Sequence, residues 1–238
     1  MSSSEDEKQQ LAKMRSFYDS VYYRSVDCNA RSTPHLRRLA AKLGIAKDDD
    51  VLDVACGAGH WLSACREQGA RVSGVDLSTK AIEVCKSALA GGEFYATEAE
   101  SLPFADARFD VVTCLGSLEH FIDPVKALRE MGRVAKREAR FVLLVPNADF
   151  LTRRLGLFSG TQQVDAKEEV RTIPAWRALF EQAGLQVEEN WADLHVLSWD
   201  WISGGPWYRI PLRAAQALAL AVWPLKWQYQ VYFRCRKV

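Results

Sequence analysis

A three-layer α/β/α sandwich is the fold this sequence predicts, with seven strands in a mostly parallel sheet and helices on both faces. Three observations carry the prediction. From residue 50 onward, short apolar runs alternate with amphipathic helical stretches. Runs that are apolar nearly throughout belong to parallel strands, because the connecting helices cover both faces of such a sheet. The first run breaks into glycine–alanine–glycine and then opens a helix, in "VLDVACGAGHWL" (51–62). The length of 238 residues, 48% hydrophobic and 26% charged, suits one globular domain with a sizeable core.

Each element has its own reason. Residues 1–10, "MSSSEDEKQQ", are polar and read as a disordered tail ahead of a single domain, 11–238. Residues 11–44 form an N-terminal helical cap. "LAKMRSFYDSVYY" sets Leu11, Met14, Phe17 or Tyr18, and Val21 or Tyr22 on one helical face. In "TPHLRRLAAKLG", Thr33 is an N-cap, Pro34 the first helical residue and Gly44 the stop. Strands follow at "DVLDVAC" (50–56), "ARVSGVDLS" (70–78), "EFYATEAE", "FDVVTCLGS" (109–117) and "ARFVLLVPN" (139–147). The helices between them are "HWLSACREQG", "TKAIEVCKSALA" and "DPVKALREMGRVA". Residues 148–171 are an irregular, polar insert. "TIPAWRALFEQAGL" is a helix, "QVEENWADL" a strand, and "QYQVYFRCRKV" a closing strand. Between the last two lies a second insert, 195–227, rich in tryptophan, glycine and proline.

Composition excludes several classes. A net charge of +1 offers no electrostatic footprint for nucleic acid. The six cysteines are scattered with no CxxC pair, which reads as reduced thiols in a cytoplasmic protein. The first residues are not a signal peptide, and no apolar run approaches the roughly 18–20 residues of a membrane span.

The glycine loop names a ligand class. Backbone N–H groups at a helix N-terminus after a strand receive negative or polar groups. A dinucleotide fingerprint would put a third small residue at position 62, where Leu62 stands. Asp53, four residues before Gly57, would repel a pyrophosphate and suits a ligand carrying positive charge. S-adenosylmethionine, with a sulfonium, an ammonium and a carboxylate, is such a ligand. These readings argue against the rival of a nicotinamide-dependent oxidoreductase.

"DVACGAG" resembles motif I of the class I S-adenosylmethionine-dependent methyltransferases, a Rossmann-like family. "GVDLS", "ATEAESLPFADARFDVV" and "VVTCLGSLEHFIDP" resemble the family's next three blocks, in order and at the right spacing, over roughly residues 35–147. The resemblance implies the strand order 3-2-1-4-5-7-6 with the last strand antiparallel. It also implies a cofactor site of Asp53, Ala55, Gly57, Ala58, Gly59, Asp76, Leu77, Glu98, Ala99, Glu100, Leu115 and Gly116. Asp76 would take both ribose hydroxyls, Leu77 and Ala99 would flank the adenine, and Leu115 and Gly116 would lie near the cofactor. The chain departs from the pattern in having Glu98 where aspartate is usual.

"LEHFIDP" resembles the matching block of the ubiquinone-pathway O-methyltransferases and makes His120 the candidate general base for a hydroxyl acceptor. Its alternative is a packing role at the start of the next helix. Glu119 is expected to face solvent, and His60 to be a polar residue at a helix start. Trp61 is expected to pack on the cofactor or under the N-terminal helix. His35 and His195 show no ligand-like spacing to each other or to acids, so no metal is expected. Tyr18, Tyr22 and Tyr23 lie in a segment that resembles lids closing over cofactor and acceptor.

The tryptophan-rich insert suits a packed cap, an apolar acceptor pocket with Trp201 and Trp207, a homodimer contact or a surface dipping into lipid. The expectation is the pocket; Arg209, Arg213 and Lys226 are few for a membrane surface. The function expected is methyl transfer to a small apolar or aromatic molecule, at a hydroxyl. The alternatives are transfer to nitrogen or carbon, or an inactive cofactor-binding partner subunit.

Overall fold

The computed structural model describes residues 3–22, 30–156, 168–204 and 206–238, with the side chains of residues 3–8, 21, 22 and 200 outside that description. Seven strands form one sheet in the order β3-β2-β1-β4-β5-β7-β6. They are β1 (Asp50–Val54), β2 (Arg71–Asp76), β3 (Glu93–Ala96), β4 (Phe109–Leu115), β5 (Ala135–Pro146), β6 (Leu185–Ala192) and β7 (Gln230–Lys237). β1 to β5 pair in parallel, while β7 runs antiparallel to both β5 and β6. The expected order and hand of pairing are therefore present. β5 starts earlier than its apolar run, because "AKRE" at its N-terminal end extends into solvent and shifts register against β4 between Phe109 and Val111.

Two apolar clusters hold the layers together. On one face α2 (Pro34–Lys42), α3 (His60–Glu67) and α4 (Thr79–Ala88) bury Leu39, Leu62, Ile82 and Cys85 against Val51, Val72 and Val142. On the other, α5 (Pro124–Val134) and α7 (Ile173–Gln182) bury Leu128, Met131, Trp176 and Phe180 against Leu52, Phe141 and Phe233. Alternate strand residues feed opposite clusters, as Val51 and Leu52 do, which is why those strands read as continuous apolar runs. The third small residue missing at position 62 is compensated across the sheet by Gly74 in β2. A side-chain carbon there would come within 2.9 Å of Leu62 Cδ1 and 2.7 Å of Cys56 Sγ.

Thr33 caps α2 as the sequence places it, and Ser78 and Asp123 do the same for α4 and α5. Thr33 accepts from the Leu36 amide, Ser78 from Ala81, and Asp123 from Lys126. One expectation is corrected: the disordered tail through residue 10 overlaps a helix, α1 (Ser3–Phe17), that continues into a π-helical turn, Tyr18–Tyr22. Of the 148–171 insert, the described part holds the short α6 (Leu151–Arg154) and a bridge between Asn147 and Arg171. The 195–227 insert holds α8 (Trp199–Ser203), α9 (Ile210–Val222) and three single turns of 3-10 helix. Among the described residues no helix is long and apolar enough to cross a membrane.

Candidate active site

The carboxyl ends of β1, β2 and β4 converge on the glycine loop, as open parallel sheets require of a ligand crevice. Ala55 (φ +61°) and Gly57 (φ +54°) curl the chain, and Gly59 (φ +81°) begins α3. At Gly59 a side chain would meet Cys85 Sγ at 2.9 Å, so both conformation and space demand glycine there. Ala55 bears a left-handed backbone without being glycine, at a cost of about 1–2 kcal/mol. Strain of this kind gathers at functional loops.

Two carboxylates anchor the crevice. Asp76 is buried, and its oxygens accept from the Gly57 amide at 2.9 Å and the Ser78 amide at 2.8 Å. Burial pushes its carboxyl up, with the amides of Ser78, Gly57 and Leu77 pulling it down. A carboxylate has about four acceptor positions, so acceptor capacity remains for a donor from a ligand. Asp53 is buried deeper, and burial pushes it up to about 7 despite a hydrogen bond from Thr113 Oγ1 at 2.5 Å. The Trp61 indole N–H donates to the same Thr113 hydroxyl at 3.0 Å. Trp61 is thus a buried prop for Thr113 and Asp53, which its bulk alone did not indicate.

Two cavities adjoin here. The first is walled by Leu11, Met14 and Tyr18, by Val75, Asp76 and Leu77, by Thr97–Glu100, and by His120, Phe121 and Ile122. The second is walled by Asp53, Cys56, Gly57, Ala58, His60, Trp61, Leu115, Leu144 and Tyr232, with His35, Asp193 and His195. Ala55, Gly116 and Ser117 line both. The sequence-derived cofactor residues therefore divide: Asp76, Leu77, Glu98, Ala99 and Glu100 face the first cavity, Asp53, Gly57, Ala58 and Leu115 the second. Gly59 lines neither and serves the turn. Glu100 accepts from the Asp123 amide at 3.2 Å, and burial raises its carboxyl.

The N-terminal segment closes the first cavity. Asp19 accepts from Ser78 Oγ at 2.5 Å and Thr79 Oγ1 at 2.8 Å, at the start of α4, and Arg15 Nε donates to the Leu77 carbonyl at 3.1 Å. The resemblance of this segment to a lid implied closure, but the Asp19 and Arg15 contacts that hold it have no signal in the sequence. Tyr18 reaches the cavity. The Tyr22 side chain and Tyr23 lie outside the described residues.

His120 is buried in the first cavity's wall, its Nε2 3.9 Å from Glu119 Oε1. Glu119, expected in solvent, is buried: its Oε2 lacks a hydrogen-bond partner, and burial pushes the carboxyl up to about 7. His35 and His195, whose spacing in the chain is not ligand-like, are brought to one acid by the fold. Asp193 Oδ2 lies 2.6 Å from His195 Nδ1, and Asp193 Oδ1 lies 3.4 Å from His35 Nε2. The Asp193 hydrogen bond raises His195, against its partial burial, while burial lowers His35. Position 35 is too far along the chain for spacing to have shown this. Among the described residues no cluster of His, Cys, Asp and Glu could hold a metal ion. Trp201 and Trp207 are brought to neither cavity: Trp201 lies under the Arg213 guanidinium, and Trp207 is 80% exposed.

The comparisons with known proteins find the same kind of fold and crevice among methyltransferases. Residues 52–143 match the methyltransferase domain family. The chain is similar to an uncharacterized methyltransferase, YcgJ, of Bacillus subtilis, 32% identical over 65% of this chain and 64% of that protein. It is also similar to the demethylmenaquinone methyltransferase of Thermotoga maritima, 34% identical over 47% of this chain and 57% of that protein. The matches span less than two thirds of either relative's length. The fold is shared with the 1,6-didemethyltoxoflavin-N1-methyltransferase of Burkholderia thailandensis, solved with S-adenosylhomocysteine, at a TM-score of 0.61. That likeness covers 98% of this chain and 90% of that one, at 18% identity.

Proposed function

We propose that the protein moves the methyl group of S-adenosylmethionine to a hydroxyl of a small, apolar or aromatic acceptor. The observation that carries the reading is the pair of adjoining cavities meeting at Ala55, Gly116 and Ser117. The adenosine would occupy the first, with its ribose on Asp76 and its base beside Leu77 and Ala99. The positive end would lie at the seam above Asp53. Transfer is an in-line displacement: the acceptor oxygen forms a bond to the methyl carbon as the carbon–sulfur bond breaks, leaving a neutral thioether. Holding the two reactants in line supplies much of the acceleration, roughly 7–11 kcal/mol in well-aligned cases.

The hydroxyl proton needs an acceptor, and His120 is the base in this reading. A second reading rests on the 2.6 Å contact between Asp193 and His195, a carboxylate–imidazole pair that would take the proton from the other side of the seam. The two separate by mutation. His120→Ala is expected to lower kcat roughly 100-fold while S-adenosylhomocysteine affinity stays nearly unchanged. If His195→Ala does this and His120→Ala does not, the base is the Asp193–His195 pair. If neither does, the acceptor is an amine or an already ionised hydroxyl, and the general-base step falls.

A further inference from the structure

The aromatic insert faces outward. In α9 the buried residue is Ala217, while Leu212 is 71%, Leu218 67% and Val222 82% exposed. Beside them Trp199 is 69%, Trp207 80% and Tyr208 61% exposed. A surface helix ordinarily turns its apolar side inward, and contiguous exposed apolar area of this kind marks a contact surface. The helix packs on the turns just before it, His195–Leu197 and Trp199–Ser203, which leaves this side open.

We propose that this face seats on the interface of a lipid bilayer with anionic headgroups. Few by count for a membrane surface, the cations choose the occupant by where they stand. Residues 201–238 contain no Asp or Glu. Arg209, Arg213 and Lys226 each lie over an aromatic ring, of Tyr208, Trp201 and Trp227. Among the described residues none of the three has a carboxylate partner. Cations beside tryptophan and tyrosine at the edge of an apolar helix are the composition of an interfacial helix. A second copy would bring three cations from each chain against one another, with Asp200 the single acid that the 195–227 insert offers each of them. At 13 residues the helix is about 20 Å long, short of the roughly 30 Å hydrocarbon core, so it lies in the surface rather than crossing it. His195, in the second cavity's wall, stands a few residues before Trp199. Resting on the acceptor reading above, the same face would let a lipid-dissolved acceptor enter from the bilayer.

The test is sedimentation of the full chain, saturated with S-adenosylhomocysteine, with phosphatidylcholine vesicles containing about 30% phosphatidylglycerol. The protein is expected to co-sediment, less so with phosphatidylcholine alone. The combined variant Trp207→Ser, Leu212→Ser, Leu218→Ser is expected to partition at least tenfold more weakly, with Tm and S-adenosylhomocysteine affinity unchanged. Arg209→Gln with Arg213→Gln is expected to lose the preference for anionic lipid. A wild-type protein that stays in the supernatant overturns the proposal, as does a triple variant that binds as wild type does. A dimer that the triple variant splits, without vesicle binding, assigns the face to a second copy and also overturns it. Should the triple variant unfold, wild-type tryptophan emission decides. Quenching by lipids brominated near the headgroup supports the docking, and its absence overturns it. Failure of methyl transfer with vesicle binding intact counts against the O-methylation reading alone.

Discussion

The crevice at β1, β2 and β4 and the insert at 195–227 are both rich in residues that stand out in the sequence, yet the fold treats them oppositely. In the crevice each conspicuous residue is held by another: Asp76 by two backbone amides, Asp53 by Thr113, Thr113 by Trp61. In the insert Trp199, Trp207, Leu212 and Leu218 point into solvent, and the cations Arg209, Arg213 and Lys226 lie over aromatic rings. The difference teaches that an unusual side chain is not thereby a pocket residue. A buried polar group demands partners, and those partners fix a geometry. An exposed apolar group is settled only by what later covers it.

The sharpest way to break the comparison is at Asp76. Asp76→Ala is expected to weaken S-adenosylhomocysteine binding about 100-fold, two charge-assisted hydrogen bonds at roughly 1.5 kcal/mol each, read by calorimetry. An unchanged affinity removes the ribose assignment. Next comes pH. With its carboxyl at about 7, Asp53 is ionised above that value and protonated below it. A cation bound against it favours the ionised form. Affinity for the cofactor should therefore be flat above pH 7 and fall by up to about tenfold per unit as pH drops below it. Asp53→Asn should flatten that slope; a slope that survives the substitution belongs to another group.

Smaller effects sharpen the contrast. Asp19→Ala removes the two hydroxyl contacts at the start of α4, and should loosen the clamp over the first cavity. The expected cost is about 1 kcal/mol, seen as roughly fivefold faster release of S-adenosylhomocysteine in stopped flow. Trp207→Ala should do least. A side chain 80% exposed that touches neither cavity should leave Tm within about 2 °C and cofactor affinity as in wild type. A large loss of either would place Trp207 against the domain and undo the contrast drawn here.

Much of the domain was legible in the residues. Val51 and Leu52 are both apolar because the sheet has two covered faces, and Asp76 stands out because an acid ends an apolar strand. Thr33, Ser78 and Asp123 announce their helices through short-range hydrogen bonds. The strand order came through resemblance to a family rather than from periodicity, since alternation says that strands are parallel without saying which are neighbours. The N-terminal clamp was half legible. Its apolar face is written in Leu11 and Met14, but Asp19 finds Ser78 and Thr79 only across 59 and 60 residues of chain.

By itself the sequence determined the local chemistry: the alternation of strands and helices, the caps, and a glycine loop flanked by acids that suits a cationic cofactor. Those properties depend on residues a few positions apart, where the backbone leaves little freedom. Only the tertiary structure decided that His35, Asp193 and His195 share one wall, that Glu119 is buried beside His120, and that Trp207 faces out while Trp61 supports Asp53. Such pairings depend on how the layers pack, and packing brings together residues whose separation in the chain carries no trace of it.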